Sequence, residues 1–121
     1  MSSTYTIAIS TRLRRKIFSD VRVRECFQSL LPVALSGEEI TVLSTVFRDD
    51  GVILSVRGED FDPEYLSAII RHRTSGRIRE LYPEFQSMPS LWTKRVYFVP
   101  GEYSERAGEE IESFFDGIKR R

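Results

Sequence analysis

Apolar residues along this chain fall in short blocks whose spacing switches between two and about four. Tyr5, Ile7 and Ile9 alternate with polar neighbours and predict a strand over residues 5–9. Val23, Cys26, Phe27, Leu30, Leu31 and Ala34 recur at three and four, the stripe of an amphipathic helix that Asp20 can cap. Pro32, near the end of the stripe, terminates or bends that helix, and Ser36-Gly37 then turns the chain. Residues 39–47 and 52–56 are rich in β-branched side chains and are joined by RDDG, whose Asp-Gly pair predicts a tight antiparallel hairpin. Their apolar positions do not alternate strictly, as expected of strands covered on both sides or lying at a subunit contact.

Asp62-Pro63 opens a second helix with Leu66, Ile69 and Ile70 as its buried stripe. Gly76 is expected to interrupt it, because a continuous helix would put Arg73 and Arg77 on the face of Leu66 and Ile70. Ser75 would then cap a separate short helix carrying Ile78, Leu81 and Tyr82, stopped by Pro83. Residues 85–91 read as a loop and Val96–Val99 as a strand ended by Pro100-Gly101. Ser104 begins a last helix with Ile111, Phe114, Phe115 and Ile118 on one face. Strand, helix, strand, strand, helix, strand, helix predicts an α+β, ferredoxin-like (RNA-recognition-like) two-layer sandwich with an antiparallel sheet and an added C-terminal helix. Residues 1–121 are read as one domain, since no repeat or long linker divides them.

Composition narrows the chemistry. The 121 residues carry 18 basic and 18 acidic side chains, one cysteine and one histidine. One cysteine cannot close an internal disulfide, and one cysteine with one histidine cannot build the usual zinc site. Serine–histidine–acid catalysis would have to use His72. No apolar run approaches the roughly 20 residues that span a bilayer, and there is no hydrophobic N-terminal signal segment. The expectation is a cytoplasmic protein with no membrane partner.

The neutral total conceals an uneven distribution. Only Lys16, Lys94 and Lys119 are lysines, so fifteen of the basic residues are arginines, whose planar fork suits phosphate and carboxylate. EDFDPE, residues 59–64, holds four acids and no base. Residues 65–101 hold Arg71, Arg73, Arg77, Arg79, Lys94 and Arg95 against Glu80 and Glu84, and RLRRK occupies residues 12–16. A basic face is permitted, and solvated arginines paired with nearby acids are an equally open reading.

The opening YTIAISTRLRRKIFSD is similar to the first strand and basic loop of the small HUH-type tyrosine transposases, including the REP-associated and insertion-sequence types. Thr11, Arg14, Arg15 and Lys16 match that loop. SAIIRHRTSGRIRELYPEF resembles the family's helix followed by Ser-Arg-Arg-Leu-Phe-Pro, and LWTKRVYFVP, residues 91–100, resembles its Leu-Trp-Ser-x-x-Tyr-Phe-Val strand. The resemblance runs in order from about residue 4 to residue 118. It implies a domain that handles DNA, dimerises through its sheet and carries its nucleophile on the last helix.

The chemical positions of that family are not matched. The family strand reads Pro-Asp-His-x-His-Leu-Leu-Val, its two histidines holding a divalent metal against the scissile phosphate. Here Asp50 matches the aspartate, while Gly51 and Ile53 stand at the histidine positions. The family helix reads roughly Arg-Tyr-Ile-x-x-Gln, and here Phe114 takes the tyrosine position and Ile118 the glutamine position. A phenyl ring cannot form a phosphotyrosine bond. The resemblance therefore implies a transposase-like DNA-binding protein without catalysis, metal or cofactor.

Alternatives stay open at this point. Asp49, Asp50 and Asp116 could supply oxygen ligands for magnesium, although Asp49-Asp50-Gly51 reads equally as a turn. Tyr103, just before the last helix, is the best substitute nucleophile, and His72 reads as a solvent-facing or phosphate-contacting residue. Trp92 could stack on a base or be partly buried core. The expected nucleic-acid surface is Arg12, Arg14, Arg15 and Lys16 with Arg71, Arg73, Arg77, Arg79, Lys94 and Arg95, of which Arg14, Arg15, Arg77 and Arg79 match family positions. Its partner would be hairpin or single-stranded DNA, the protein a homodimer. The acids of the last helix, Glu109, Glu110, Glu112 and Asp116, are expected on its solvent side. The competing reading is a dimeric protein-interaction or regulatory module derived from a transposase. A third, an active nuclease with relocated residues, predicts metal-dependent nicking.

Overall fold

The computed structural model describes residues 2–118. Its elements are β1 (Ser2–Thr11), α1 (Val21–Ala34), β2 (Ile40–Arg48), β3 (Gly51–Glu59), α2 (Pro63–Leu81), β4 (Trp92–Pro100) and α3 (Glu105–Asp116), with short 3-10 turns at Arg12–Arg14, Ile17–Ser19 and Pro83–Phe85. The four strands form one sheet in the order β2-β3-β1-β4, and every pairing is antiparallel. This is the ferredoxin-like arrangement expected from the order of elements. Among the described residues no helix is long and apolar enough to cross a membrane.

The side-chain alternation of β1 and β3 divides the interior in two. Ile7 and Ile9 of β1 and Val52, Leu54 and Val56 of β3 point to one face, where they pack with Val23, Phe27 and Leu31 of α1 and with Leu66, Ile70 and Ile78 of α2. Ala8 and Ile53 point to the other, where Ile111, Phe114, Phe115 and Ile118 of α3 and its end cover them. The added helix therefore closes the back of the sheet. β3 is covered on both faces, as its unbroken apolar run predicts, whereas β2 lies at an edge.

The helices start where their caps predict. The Asp20 carboxylate accepts the Arg22 amide at 2.9 Å, and that of Asp62 accepts the Glu64 amide at 3.0 Å with Pro63 in the first turn. The Ser104 hydroxyl accepts the Ala107 amide at 3.4 Å. Pro32 lies inside the last turn of α1, which ends two residues later.

α2 corrects one expectation. It runs unbroken from Pro63 to Leu81, and Ser75 caps nothing. Its buried stripe continues past Leu66 and Ile70 through Thr74 and Ile78, so the polar residue in the row is core. Thr74 fits there because its hydroxyl donates to the Ile70 carbonyl at 2.7 Å and accepts the Trp92 indole N–H at 3.2 Å. Arg73 and Arg77 fall to one flank of this stripe, exposed, instead of on it.

The hairpin also differs in detail. Arg48 pairs with Gly51, so Asp49 and Asp50 form the corner and the glycine opens β3. Gly51 is not needed for a left-handed backbone. It is needed for space: a Cβ there would stand 2.6 Å from Phe115 Cε1 and would collide with the Ile9 carbonyl oxygen.

Candidate functional site

Gly51, Ile53, Phe114 and Ile118 come together. Ile53, Phe114 and Ile118 belong to one buried cluster with Ala8, Ile111 and Phe115, and Gly51 is the floor on which the Phe115 ring rests. Phe114 and Phe115 meet edge-on with ring centres 5.2 Å apart, and Tyr97 lies 5.9 Å from Phe114. Among the described residues the buried members of the cluster carry no hydroxyl, thiol, imidazole or carboxylate, and Tyr97 at its edge keeps its hydroxyl on Glu110.

An ion-pair network seals the end of this cluster. The Asp50 carboxylate, 10% exposed, accepts Arg14 Nε on one oxygen and Arg48 Nε on the other, both at 2.9 Å. Arg48 also donates to Glu112 of α3, and its guanidinium carbon lies over the Phe115 ring, 4.1 Å from the ring centre. Arg14 reaches Asp116 at 3.8 Å. Burial alone would raise the Asp50 pKa, but the hydrogen bonds from Arg48 and Arg14 outweigh it and hold the carboxyl below its ordinary range. The same pairing outweighs burial at Arg48 and raises its pKa. The Asp50 carbonyl oxygen takes the Thr11 amide at 2.9 Å and the Thr11 hydroxyl at 3.0 Å, which fixes the corner against the end of β1.

The Asp49, Asp50 and Asp116 magnesium reading does not fit this geometry. Both Asp50 oxygens are held by arginine, Asp49 pairs with Arg24 at 3.4 Å, and among the described residues no group of three or more histidine, cysteine or carboxylate side chains converges. Trp92 is 4% exposed with its N–H bound to Thr74, so it is core and presents no face for stacking. His72 is exposed on α2, and Tyr103 is partly exposed, with its amide held by the Ser55 hydroxyl at 3.0 Å.

The ten expected DNA-contacting cations divide into groups. Arg12, Arg15 and Lys16 are exposed on the turn after β1, with no side-chain partner among the described residues. Arg14, from the same run, is turned inward at 7% exposure to hold Asp50. Arg71, Arg79 and Lys94 line the flank of α2 that faces β4. Arg73 and Arg77 lie on the opposite flank: Arg73 donates to the Ala34 carbonyl at 2.6 Å and pairs with Glu38 at 3.8 Å, and Arg77 pairs with Glu80 at 3.0 Å. Arg95 is on the back face, its guanidinium 5.9 Å from the Phe114 ring. The acids of α3 are solvent-facing as expected, with Glu110 accepting the Tyr97 hydroxyl and Glu112 held by Arg48.

The first two exposed groups flank one loop. The Arg12 amide donates to the Leu91 carbonyl at 3.0 Å, and Arg15, Lys16 and Phe85 line a common groove. On the other side of the loop, Arg79 donates to the Gln86 and Met88 carbonyls. The turn carrying Arg12 is itself unusual, because Leu13 and Arg14 both adopt left-handed backbone, with φ of 56° and 53°. Arg48 is the contributor that sequence reasoning passed over. Its signal, an arginine beside two aspartates, was absorbed by the reading of RDDG as a turn.

No protein-family model matches the sequence, and no curated protein does. Solved structures do match in fold. One is the crystal structure of a candidate transposase from Deinococcus radiodurans, with a TM-score of 0.87 at 13% identity, covering 100% of this chain and 94% of that one. Another is a REP-associated tyrosine transposase bound to a REP hairpin, with a TM-score of 0.62 at 9% identity, covering 96% of this chain and 69% of that one. The two-sided sheet, with two helices on its front and a third on its back, is thus the fold that these two proteins share with this chain.

Proposed function

We propose that this chain is a DNA-binding protein with a transposase-like fold that holds DNA without cutting it. The observation that carries the reading is the meeting of Gly51, Ile53, Phe114 and Ile118 in a buried apolar cluster closed by Arg14, Asp50 and Arg48. These are the four positions at which the resembling family places its metal ligands and nucleophile. Space that chemistry would need is filled by the Phe115 ring. Binding needs only cations, and Arg12, Arg15 and Lys16 supply three with no acid spent on them, with Arg71, Arg79 and Lys94 across the adjoining loop. The hairpin held by one structural relative makes a hairpin the first ligand to try.

The test is titration of hairpin and linear DNA at two salt concentrations, with wild type and with Arg12→Ala/Arg15→Ala/Lys16→Ala. Hairpin binding should weaken with salt, and the triple variant should flatten the log–log slope by about one unit per lost phosphate contact. Absence of binding at low salt overturns the DNA reading. Nicking of single-stranded DNA with Mg²⁺ or Mn²⁺ overturns the non-cutting half of it.

A second reading, a dimeric interaction module, is favoured by one surface. The edge strand β2 and α1 enclose a groove lined by Leu31, Pro32, Leu35, Ile40 and Val42, beside a bulge between Val42 and Ser44. Sedimentation of wild type and Val42→Glu checks it, with a monomer for both counting against it.

A further inference from the structure

The flank of α2 that faces β4 carries ionisable groups of one sign. A groove of about 480 Å³ runs between α2 and the start of β4; its ionisable side chains are Arg71, His72, Arg79 and Lys94, and among the described residues no carboxylate lines it. Gly76 and Trp92 contribute to its apolar wall.

The two arginines are anchored but not neutralised. Arg71 donates from Nε to the Ser67 carbonyl at 3.3 Å and from Nη1 to the carbonyls of Thr93 at 3.2 Å and Lys94 at 3.3 Å. Arg79 donates from Nη2 to the carbonyls of Gln86 at 3.2 Å and Met88 at 2.6 Å, and its Nε is buried with no acceptor. Carbonyl oxygens orient a guanidinium without cancelling its charge. This is the reverse of Arg14 and Arg48, whose burial is compensated by Asp50. Burial lowers the Arg71 pKa, and the charge of Glu64, which opposes that, makes no ion pair with it. Partly buried cations without a counter-ion are unfavourable in the free protein and recover that loss on an anion.

Gly76 adds an independent observation. It lies inside a helix, where glycine is disfavoured against alanine. Its φ is not left-handed, and a Cβ there would meet nothing within 4 Å. Neither backbone strain nor crowding within the chain calls for glycine. Its missing side chain leaves this side of the groove open.

We propose that this groove is a seat for a terminal phosphomonoester, at the end of a DNA strand or on a free nucleotide. Arg71, Arg79 and Lys94 match a group carrying about −1.5 to −2 charge better than the single charge of a phosphodiester. For the strand end the inference rests on the DNA-binding reading; for the nucleotide it stands alone.

Trp92 is the only tryptophan, and it lines the groove, so its fluorescence reports occupancy. The titrants are a hairpin oligonucleotide with a 5′-phosphate, one with a 3′-phosphate, the same oligonucleotide without either, and a deoxynucleoside monophosphate. One phosphorylated hairpin should bind about tenfold tighter than the unphosphorylated one, the value of a charge-assisted contact. Gly76→Leu should abolish that preference with thermal unfolding unimpaired, and Lys94→Gln should reduce it about tenfold even if the leucine variant fails to fold. A response to the mononucleotide alone identifies the free nucleotide as sufficient, and a response only to phosphorylated strands identifies the strand end. Equal affinity for all three hairpins with no response to the mononucleotide overturns the proposal. If no oligonucleotide binds and the mononucleotide still gives a Gly76-dependent response, the DNA reading falls and the groove stands.

Discussion

Gly51 lies against the ring of Phe115 so closely that a Cβ on the glycine would stand 2.6 Å from the ring's Cε1. Gly51→Ala must relieve both the contact with that ring and the one with the Ile9 carbonyl, which belongs to β1. The expected loss is about 2 kcal/mol, read by urea unfolding. Putting histidine at both Gly51 and Ile53 should lower stability further and create no divalent-metal site, as calorimetry with Mn²⁺ would show, because the Phe115 ring already occupies the space a side chain at position 51 would need.

Asp50 gives the fold a dependence on pH. Its folded pKa lies below its unfolded value, so its contribution is complete above the unfolded carboxylate pKa, about 4, and is lost as pH falls through the folded value. Asp50→Asn should cost about 3 kcal/mol at neutral pH, because it leaves Arg14 buried without its partner. The variant should also lose the part of the acid sensitivity that wild type shows below about pH 4. Unfolding curves from pH 2 to 7 check both, and a parallel acid limb in the two proteins would remove Asp50 as its source.

The turn after β1 holds stored strain. Leu13 has φ of 56° although it has a branched side chain. Leu13→Gly is expected to raise stability by about 1 kcal/mol, measured as the urea midpoint. A loss instead would mean that the Leu13 side chain contributes more through packing than its backbone loses.

Gly76→Ala should stabilise α2 by about 1 kcal/mol, since the added methyl meets open space in a helix that already forms. The thermal midpoint is the readout. It is also the mildest narrowing of the groove, and any accompanying loss of phosphate response would be graded between wild type and Gly76→Leu.

The elements that rest on local periodicity were legible in the sequence. The cap at Asp20, the apolar face of α3 and the succession of strands and helices along the chain all follow from local sequence pattern. α2 was misread because Gly76 and the arginine pair looked like a break, while the residue that continues the stripe, Thr74, is polar and is satisfied only by Trp92, 18 positions away. Asp50 was read as part of a turn for a similar reason: its arginine partner Arg14 arrives from 36 residues earlier, across a sheet whose register no local pattern states. The basic surface was legible as composition but not as geometry. Nothing in the spacing of Arg71, Arg73, Arg77 and Arg79 says which flank of α2 points to α1 and which to β4. The family resemblance singled out Gly51, Ile53, Phe114 and Ile118 by position, and only the Phe115 ring above Gly51 gives the reason that residue must be glycine.

β1 belongs to both interiors at once: Ile7 and Ile9 are held by one, Ala8 by the other, and strands pair with it on both edges. Either interior is enough to hold the strand extended, so freeing it requires both to open. Amide protons of residues 7–9 should therefore exchange with solvent only when the whole molecule opens, and at one common rate. The cluster under α3 can open without freeing β1, so amides of α3 should exchange faster than those of residues 7–9.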